Sequence, residues 1–513
     1  MSHEPTERET SLREVRLGKL ARLRELGLDP YAVERFDSTG SIAEIRPMFR
    51  EPGSEADEAQ RVPVRLAGRV VSYRLMGKAG FAHVSDGDDR LQVYFRRDQL
   101  SEAQWEAFGL LDLGDHVGVT GYLFHTKTGE PSIHAESLVP LSNALHALPI
   151  GKEKDGEVFS GLSDPELRFR HRHLDLLANR ESREMLINRA KIVSAVRRYF
   201  DSLGYLEVET PMLQLEAGGA AARPFKTHYN AYDLDVKLRI SLELYLKRLI
   251  CGDIPKVYEV GRVFRNEGLS NRHNPEFTMI EFYEAYVDLE TMMERVEGVF
   301  RAVAQDVGAS AGLDWAKPWR RVQLLEEIER LAGVPVSALA SLEAAKAHLG
   351  ANPLTNPLNG KTIDPEEENN LGGLIEKLLE VFVEPTLQEP TFVVGYPIET
   401  SPLAKKDPNR PGFTRRFEGY VLGREICNAF SEINDPVDQR ERFEQQLGER
   451  AKGDDEAHPM DEEFLFALES GMPPTGGCGI GLDRMAMLLT GAPSIREVLM
   501  FPMMRPSAAH TAE

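Results

Sequence analysis

Cysteine is nearly absent: Cys251, Cys427 and Cys478 are the only three among 513 residues, far apart and without a CxxC pair. That excludes a disulfide scaffold and a thiolate zinc site, and it fits a reducing, cytoplasmic setting. No apolar run approaches the ~20 residues of a membrane span, and mean hydropathy is −0.35, so no membrane partner is expected. The opening MSHEPTERETS lacks a basic stretch followed by an apolar one, and no secretory signal is read there. Excess positive charge is lacking too: 61 Lys and Arg against 82 Asp and Glu leave −21. A histone-like nucleic-acid binder would be basic throughout, so any polyanion is met through local patches. With 42% hydrophobic and 28% charged residues the composition is that of a globular protein, and wholesale disorder is excluded.

Residues 11–28 place Leu12, Val15, Leu20 and Leu23 at helical spacing, with Arg13, Arg16, Lys19, Arg22 and Arg24 between them. The helix reads either as a packed element with a solvated face or as a basic surface for nucleic acid. A polar stretch at 51–61 (EPGSEADEAQR) reads as a linker. Between 62 and 140 come five short β-favouring runs split by turns, which suit a small barrel of the OB type or another small β domain. Arg74, Phe81, Tyr94 and Phe95, beside Lys78, Arg96 and Arg97, are candidates for an exposed face on which bases stack. From about 150 onward, long helices and strands alternate without a regular βαβ period. A helix is expected over 181–203, helical pattern over 320–350 and 371–384, and another helix over about 436–451. The whole is α+β, without internal repeat or low-complexity tract.

Several familiar patterns fail on inspection. The run Gly476-Gly477-Cys478-Gly479-Ile480-Gly481 puts Leu482 or Arg484 where GxGxxG needs its third glycine, and no βαβ unit opens there. Gly360-Lys361-Thr362 has Thr355 where a P-loop needs its first glycine. His171 and His173 are two apart, wrong for a helical metal pair.

Residues 264–284, FRNEGLSNRHNPEFTMIEFYE, read as two strands around a loop. Arg265 and Glu267 would share one face of the first strand, and Phe277, Met279, Glu281 and Tyr283 one face of the second. The loop adds Arg272 and His273. Arginine matches phosphate oxygens with two donors, and phenylalanine can stack on a base. Standing alone, the stretch also suits a charged surface hairpin.

It does not stand alone. The hairpin resembles motif 2 of the class II aminoacyl-tRNA synthetases. IVSAVRRYFDSLGYLEVETPML resembles motif 1, a helix and strand reaching Pro211, and GIGLDRMAMLL at 479–489 resembles motif 3, with Arg484 as its arginine. The HIGH and KMSKS signatures of class I are absent. In detail, GGAAARPFKTHYNAYDLDVKLRISLELYLKRL and GREICNAFSEINDP resemble the bacterial class II lysyl-tRNA synthetase family over nearly the whole chain. Leu242 stands where that family usually has proline, and Cys427 and Ala429 replace glycines.

The resemblance implies an N-terminal basic helix and linker (1–55), an anticodon-binding OB barrel of five strands (62–145), and an antiparallel-sheet catalytic domain with flanking helices (150–508) carrying a helical insertion at about 320–385. It implies ATP, L-lysine and tRNA(Lys) as partners, a homodimer through motif 1, and adenylation of lysine followed by its transfer to the tRNA 3′ end. Arg265 and Arg484 would be catalytic, with Glu267, His273, Asn274 and Phe277 also on ATP. Glu418 and Glu425 would touch ATP through Mg²⁺. Gly219, Glu243, Arg265, Glu281, Tyr283, Asn428, Phe430 and Glu432 would bind lysine. No protein cation is assigned to Glu281 and Glu432, so the substrate ε-ammonium is their expected partner. Arg74, Phe81, Gln92 and Glu130 would contact a U-rich anticodon, with barrel packing the less favoured reading of Phe81.

Overall fold

The computed structural model describes residues 7–51, 61–150, 152–154, 157–159, 162–309, 311–451 and 457–506. The expected linker falls almost wholly outside them. The chain divides into two compact units, 1–183 with 504–513, and 184–503.

In the first unit, helix α1 (Glu7–Glu25) is followed by a closed barrel of β1 (Pro63–Met76), β2 (Ala79–Ser85), β3 (Arg90–Arg96), β4 (His116–His125) and β5 (Pro131–Ser142). The strands close in the order β1-β2-β3-β5-β4, with β3 and β5 parallel. Side chains of β2 and β3 alternate between the interior and the outside, as a pleated strand requires. Val84, Val93, Val119 and Ile133 fill the interior, and helix α2 (Glu102–Leu110) closes it with Phe108.

The basic pattern of α1 resolves in favour of internal packing. Leu20 and Leu23 are buried, but Val15 is 55% exposed and Arg16 takes the inward position instead. Arg16 donates to the carbonyls of Ala144 and His146. Lys19 pairs with Asp112, Arg22 with Glu106 and Arg24 with Asp29. Carboxylates and carbonyls of the same unit thus occupy these cations, and Arg13 is left outside.

The second unit is built on an eight-stranded sheet. Its strands are β6 (Leu206–Glu207), β7 (Lys256–Phe264), β8 (Glu276–Ala285), β9 (Arg320–Gln323), β10 (Thr391–Val394), β11 (Arg416–Tyr420), β12 (Glu425–Ser431) and β13 (Thr475–Gly481). They lie in the order β9-β10-β11-β12-β13-β8-β7-β6. The centre is antiparallel, as expected, and the pairs at both ends are parallel. One face carries α3 (Arg180–Ser202), α5 (Leu289–Val307) and α7 (Leu482–Thr490), packed through Val196, Phe200, Met292, Phe300 and Met485 onto Ile280 and Phe282. The helix expected over 181–203 is α3. Between β7 and the three-stranded layer Leu213–Gln214, Lys226–Tyr229 and Leu234–Leu238 lies the short helix α4 (Glu243–Cys251). The insertion holds helices Leu324–Ala332, Leu342–Ala351 and Leu371–Leu378 around their own core, including Ile328, Leu374 and Val383. The expected late helix is α6 (Pro436–Ala451). Among the described residues, no helix is long and apolar enough to cross a membrane.

Candidate active site

The face of the sheet away from α3, α5 and α7 carries a cavity of about 790 Å³ in the second unit. Phe277, Met279, Glu281 and Tyr283 of β8 all line it, as their alternation requires, and Asn428, Phe430 and Glu432 line it from β12 and its end. Arg265 and Glu267 line it too, but not from a strand. β7 stops at Phe264, and both residues stand in the loop that follows. Pairing with the neighbouring strand goes only one bond further, from the Arg265 N–H to the Pro275 carbonyl at 2.8 Å.

At one end the cavity is cationic. The Arg265 guanidinium lies 5.2 Å from the Phe277 ring centroid. Its one protein hydrogen bond is a long 3.4 Å donation to the Ile240 carbonyl, and no ion pair holds it among the described residues. Burial pushes its pKa down, so an incoming anion would relieve it. Arg484, on α7, donates to the Glu425 carbonyl at 2.8 Å and to its Oε2 at 3.0 Å. It also reaches His273 Nε2 at 3.4 Å, while Nδ1 lies 2.9 Å from Ser270 Oγ. Burial and then Arg484 lower the His273 pKa, which keeps the ring neutral. Asn274 donates to the Glu276 carbonyl, and its buried Oδ1 has no partner. Asp483 anchors this end: it accepts from the Thr278 backbone N–H at 2.7 Å and from Arg189 Nε at 2.8 Å, tying α7 to β8 and α3.

The other end is a buried acidic slot. Glu281 Oε1 accepts from Ser241 Oγ at 2.8 Å and from the Leu242 N–H at 3.0 Å, and its Oε2 from Tyr283 OH at 3.0 Å. The Leu242 bond is one a proline at that position could not make. Burial, then Glu243, raises Glu281 to about 7. Burial also raises Glu432, to about 8. Contrary to expectation, a protein cation is present. The fully buried Lys247 Nζ donates to Glu243 Oε1 at 2.5 Å and also pairs with Glu432 Oε2. Sequence inspection missed it because ELYLKR reads as an ordinary amphipathic helix, although Glu243 and Lys247 have the i, i+4 spacing of a pair.

Two glycines shape the slot. Gly219 has φ +87°, and a Cβ there would stand 2.8 Å from Ser241 Oγ. A Cβ on Gly477 would come within 2.2 Å of Glu432 Oε1 and 2.3 Å of the Tyr283 ring. The glycine run that failed as a dinucleotide motif is therefore strand β13, kept bare beneath the acidic side chains.

Glu418 does not line the cavity. It lies behind the wall, accepting from Arg416, from Tyr396 OH at 2.9 Å and from Tyr420 OH at 2.5 Å. Arg416 also donates to Asn428 Oδ1 at 3.2 Å, which orients that side chain. For a hard cation, Glu425 offers a carboxylate at the cavity surface, with one oxygen on Arg484. Glu418 has three of about four lone-pair sites taken, leaving about one. The pair fits a cation bound mainly through Glu425. Among the described residues no cluster of three or more metal-ligating side chains forms.

On the barrel, strand register sets Arg74, Phe81, Tyr94, His134 and Tyr122 in one row. Phe81 packs 4.8 Å from Tyr94, and Tyr122 stacks on His134 at 4.9 Å. Phe81, Tyr94 and Gln92 are half-buried on the outer face, and Gln92 donates to Ser132 Oγ. Arg74 and Glu130 are exposed. Phe95 is not on this face: it is fully buried and stacks on Phe108 at 4.4 Å, since its odd–even position points inward. Tyr122, Phe124 and His134 extend the aromatic row and were not singled out, because their strands had no adjacent basic run to draw attention.

Comparison with known proteins agrees with both units. Residues 164–505 match the family model described as tRNA synthetases class II (D, K and N), and residues 64–141 match the OB-fold nucleic acid binding domain. A lysine–tRNA ligase of Bacillus subtilis is 46% identical over 499 residues, 96% of this chain and 97% of that protein. One from Staphylococcus haemolyticus is 48% identical over 504 residues, 96% and 98% of the two chains. One from Thermoanaerobacter sp. is 46% identical over 508 residues, 98% and 97%.

Proposed function

As the chain belongs to the lysine–tRNA ligases among the class II (D, K and N) tRNA synthetases, we propose that it joins L-lysine to tRNA(Lys) at the expense of ATP. The carboxylate oxygen of lysine attacks the α-phosphorus of ATP. A lysyl-adenylate forms and pyrophosphate leaves, and the tRNA 3′ hydroxyl then displaces AMP from the acyl carbon. The observation that carries this reading is one cavity with unpaired guanidinium charge at one end and three buried carboxylates at the other.

Arg265 is suited to hold the lysine carboxylate and the α-phosphate together, which brings the reacting atoms into line and offsets charge in the transition state. Phe277 and Arg484, which both line the cavity, are suited to take adenine, with Glu267, Asn274 and neutral His273 for the rest of the nucleotide. Glu243, beside Gly219, is suited to the α-ammonium. Glu281, Tyr283 and Glu432 are suited to the ε-ammonium, with Asn428 and Phe430 along the aliphatic stem. Glu425, with Glu418 behind it, would hold Mg²⁺, whose contribution is to neutralise phosphate charge. No protein base is needed in this scheme.

On the barrel, the row from Arg74 through Phe81 and Tyr94, with Gln92 and Glu130 nearby, suits stacking and edge contacts with a single-stranded anticodon. A homodimer through motif 1 is supported by apolar side chains left at the surface there, Leu206, Met212 and Leu213. A cytoplasmic location is supported by the absence of disulfides among the three cysteines. The deciding experiment is ATP–pyrophosphate exchange with each of the twenty amino acids. Exchange with lysine alone is expected, and exchange with aspartate or asparagine but not lysine would overturn the assignment.

A further inference from the structure

We propose that Lys247 is a specificity-determining positioning residue. Its buried ammonium holds the Glu243 and Glu432 carboxyl groups in place and favours their ionised form, so that the slot is set to receive the two ammonium groups of one substrate. The inference rests on the lysine reading of the cavity.

The geometry is that of a bridge. Lys247 Nζ meets Glu243 one helical turn back on α4 and Glu432 at the end of β12. The Glu243 backbone N–H donates to Ser241 Oγ and its Cβ faces Gly219, while the Glu432 carboxylate lies beneath Gly477. One ammonium thereby links two carboxyl groups that line the cavity, and it lies behind the cavity wall with no exposed surface. Burial works against its charge, but Glu243 and then Glu432 outweigh that, and its pKa goes up.

The neighbours sharpen the count. Glu281 and Tyr283 face the slot from β8, and Arg416 from β11 is paired with Glu418. His458, before the helix Glu462–Glu469, is lowered to about 4 by burial and by Lys247, so it is neutral. The thiols Cys251 and Cys478 are held neutral by burial. Among the described residues Lys247 is thus paired with Glu243 and Glu432, while Glu281 has only neutral partners, Ser241, Leu242 and Tyr283. Once all three carboxyl groups are ionised, three negative charges and one positive leave a deficit of two, and a substrate carrying an α-ammonium and an ε-ammonium makes it up. Without Lys247 the deficit would be three, and burial would hold a further proton on the glutamates. That proton would have to leave before lysine could pair. A neutral-tailed amino acid would leave a carboxylate uncompensated in either case.

The test is Lys247→Met, which keeps length and apolar bulk, beside Lys247→Arg, which keeps charge. Lysine-dependent pyrophosphate exchange is followed from pH 6 to 9. For Lys247→Met, the lysine KM should rise at least tenfold at pH 7 with the ATP KM within about twofold. The rise of lysine kcat/KM with pH should also shift to higher pH. Lys247→Arg should restore the profile. A wild-type lysine KM in Lys247→Met, or a loss spread equally over lysine and ATP with an unshifted profile, would overturn the proposal. If Lys247→Met does not fold, calorimetric titration of the unmodified protein with lysine in two buffers of different ionisation heat counts the protons released. One or fewer at pH 7 supports the bridge, and two overturns it. Lysine-dependent exchange by the unmodified protein separates either failure from a failure of the lysine reading itself.

Discussion

Arg484 Nη1 donates to two oxygens of Glu425, the backbone carbonyl and carboxylate Oε2. The residue proposed to lie against adenine is thus fixed by the residue proposed to hold the cation. Glu425→Gln keeps an oxygen for Arg484 but removes the charge. The Mg²⁺ concentration for half-maximal pyrophosphate exchange should rise roughly 10–100-fold, a range typical of disturbed metal sites. The ATP KM at saturating Mg²⁺ should change little. An unaltered Mg²⁺ titration would remove Glu425 from the cation site.

Arg265 offers the opposite case, a guanidinium with almost no protein partner. Arg265→Ala leaves no carboxylate unpaired, so the melting temperature should hold. Losing one preorganised donor typically costs ~10²–10³ in rate, and lysine-dependent exchange should fall by at least that much. Comparable exchange in the variant and wild type would exclude Arg265 from the chemistry.

Much of this architecture was legible in the residues. The period-2 run on β8 placed Phe277, Glu281 and Tyr283 on one surface, the family resemblance added Asn428, Phe430 and Glu432, and the structure brings all six to one cavity. What escaped was long-range. Nothing near Glu418 in sequence shows that Tyr396 and Tyr420 will cover it. Nothing in ELYLKR shows that Lys247 will reach Glu432, which follows it by 185 positions and arrives on another strand. The two readings of α1 stayed open for the same reason, since Asp112 and Glu106 are remote in the chain. Phe95 misled because a strand's two faces cannot be told apart when both carry aromatics.

On the barrel, Phe81→Ala combined with Gln92→Ala should separate recognition from adenylation. Stacking on an aromatic ring is worth roughly 1–3 kcal/mol per base, so tRNA charging should drop more than about tenfold while exchange without tRNA stays within twofold. Phe81 is half-buried against Tyr94, so a thermal melt belongs in the same experiment. If exchange fell as far as charging, Phe81 would be packing the barrel and not reading a base.

The acidic slot makes lysine affinity a function of pH, and the sign follows from burial. Burial raises Glu281 to about 7 and Glu432 to about 8, so the empty slot keeps protons at pH 6 to 7 that the ionised glutamates would otherwise lack. A bound ε-ammonium favours the ionised form, so binding expels those protons. Apparent affinity for lysine should therefore rise with pH, by up to roughly two decades per unit below the lower pKa and roughly one between the two, and level off above pH 8. Glu432→Gln removes one of the two shifted groups while leaving Lys247 its bond to Glu243. Breaking a buried ion pair costs roughly 3–5 kcal/mol. At about 1.4 kcal/mol per decade, lysine kcat/KM should fall by roughly two to three and a half decades. Its pH dependence should also flatten, since one titrating partner is gone. ATP binding lies at the other end of the cavity and should change far less. The measurement is pyrophosphate exchange at varied lysine from pH 6 to 8.5, with norleucine as the control that fills the stem without the charge. A Glu432→Gln profile parallel to the wild type would place the titrating proton elsewhere, and activation of norleucine by the wild type would show that the slot does not read charge.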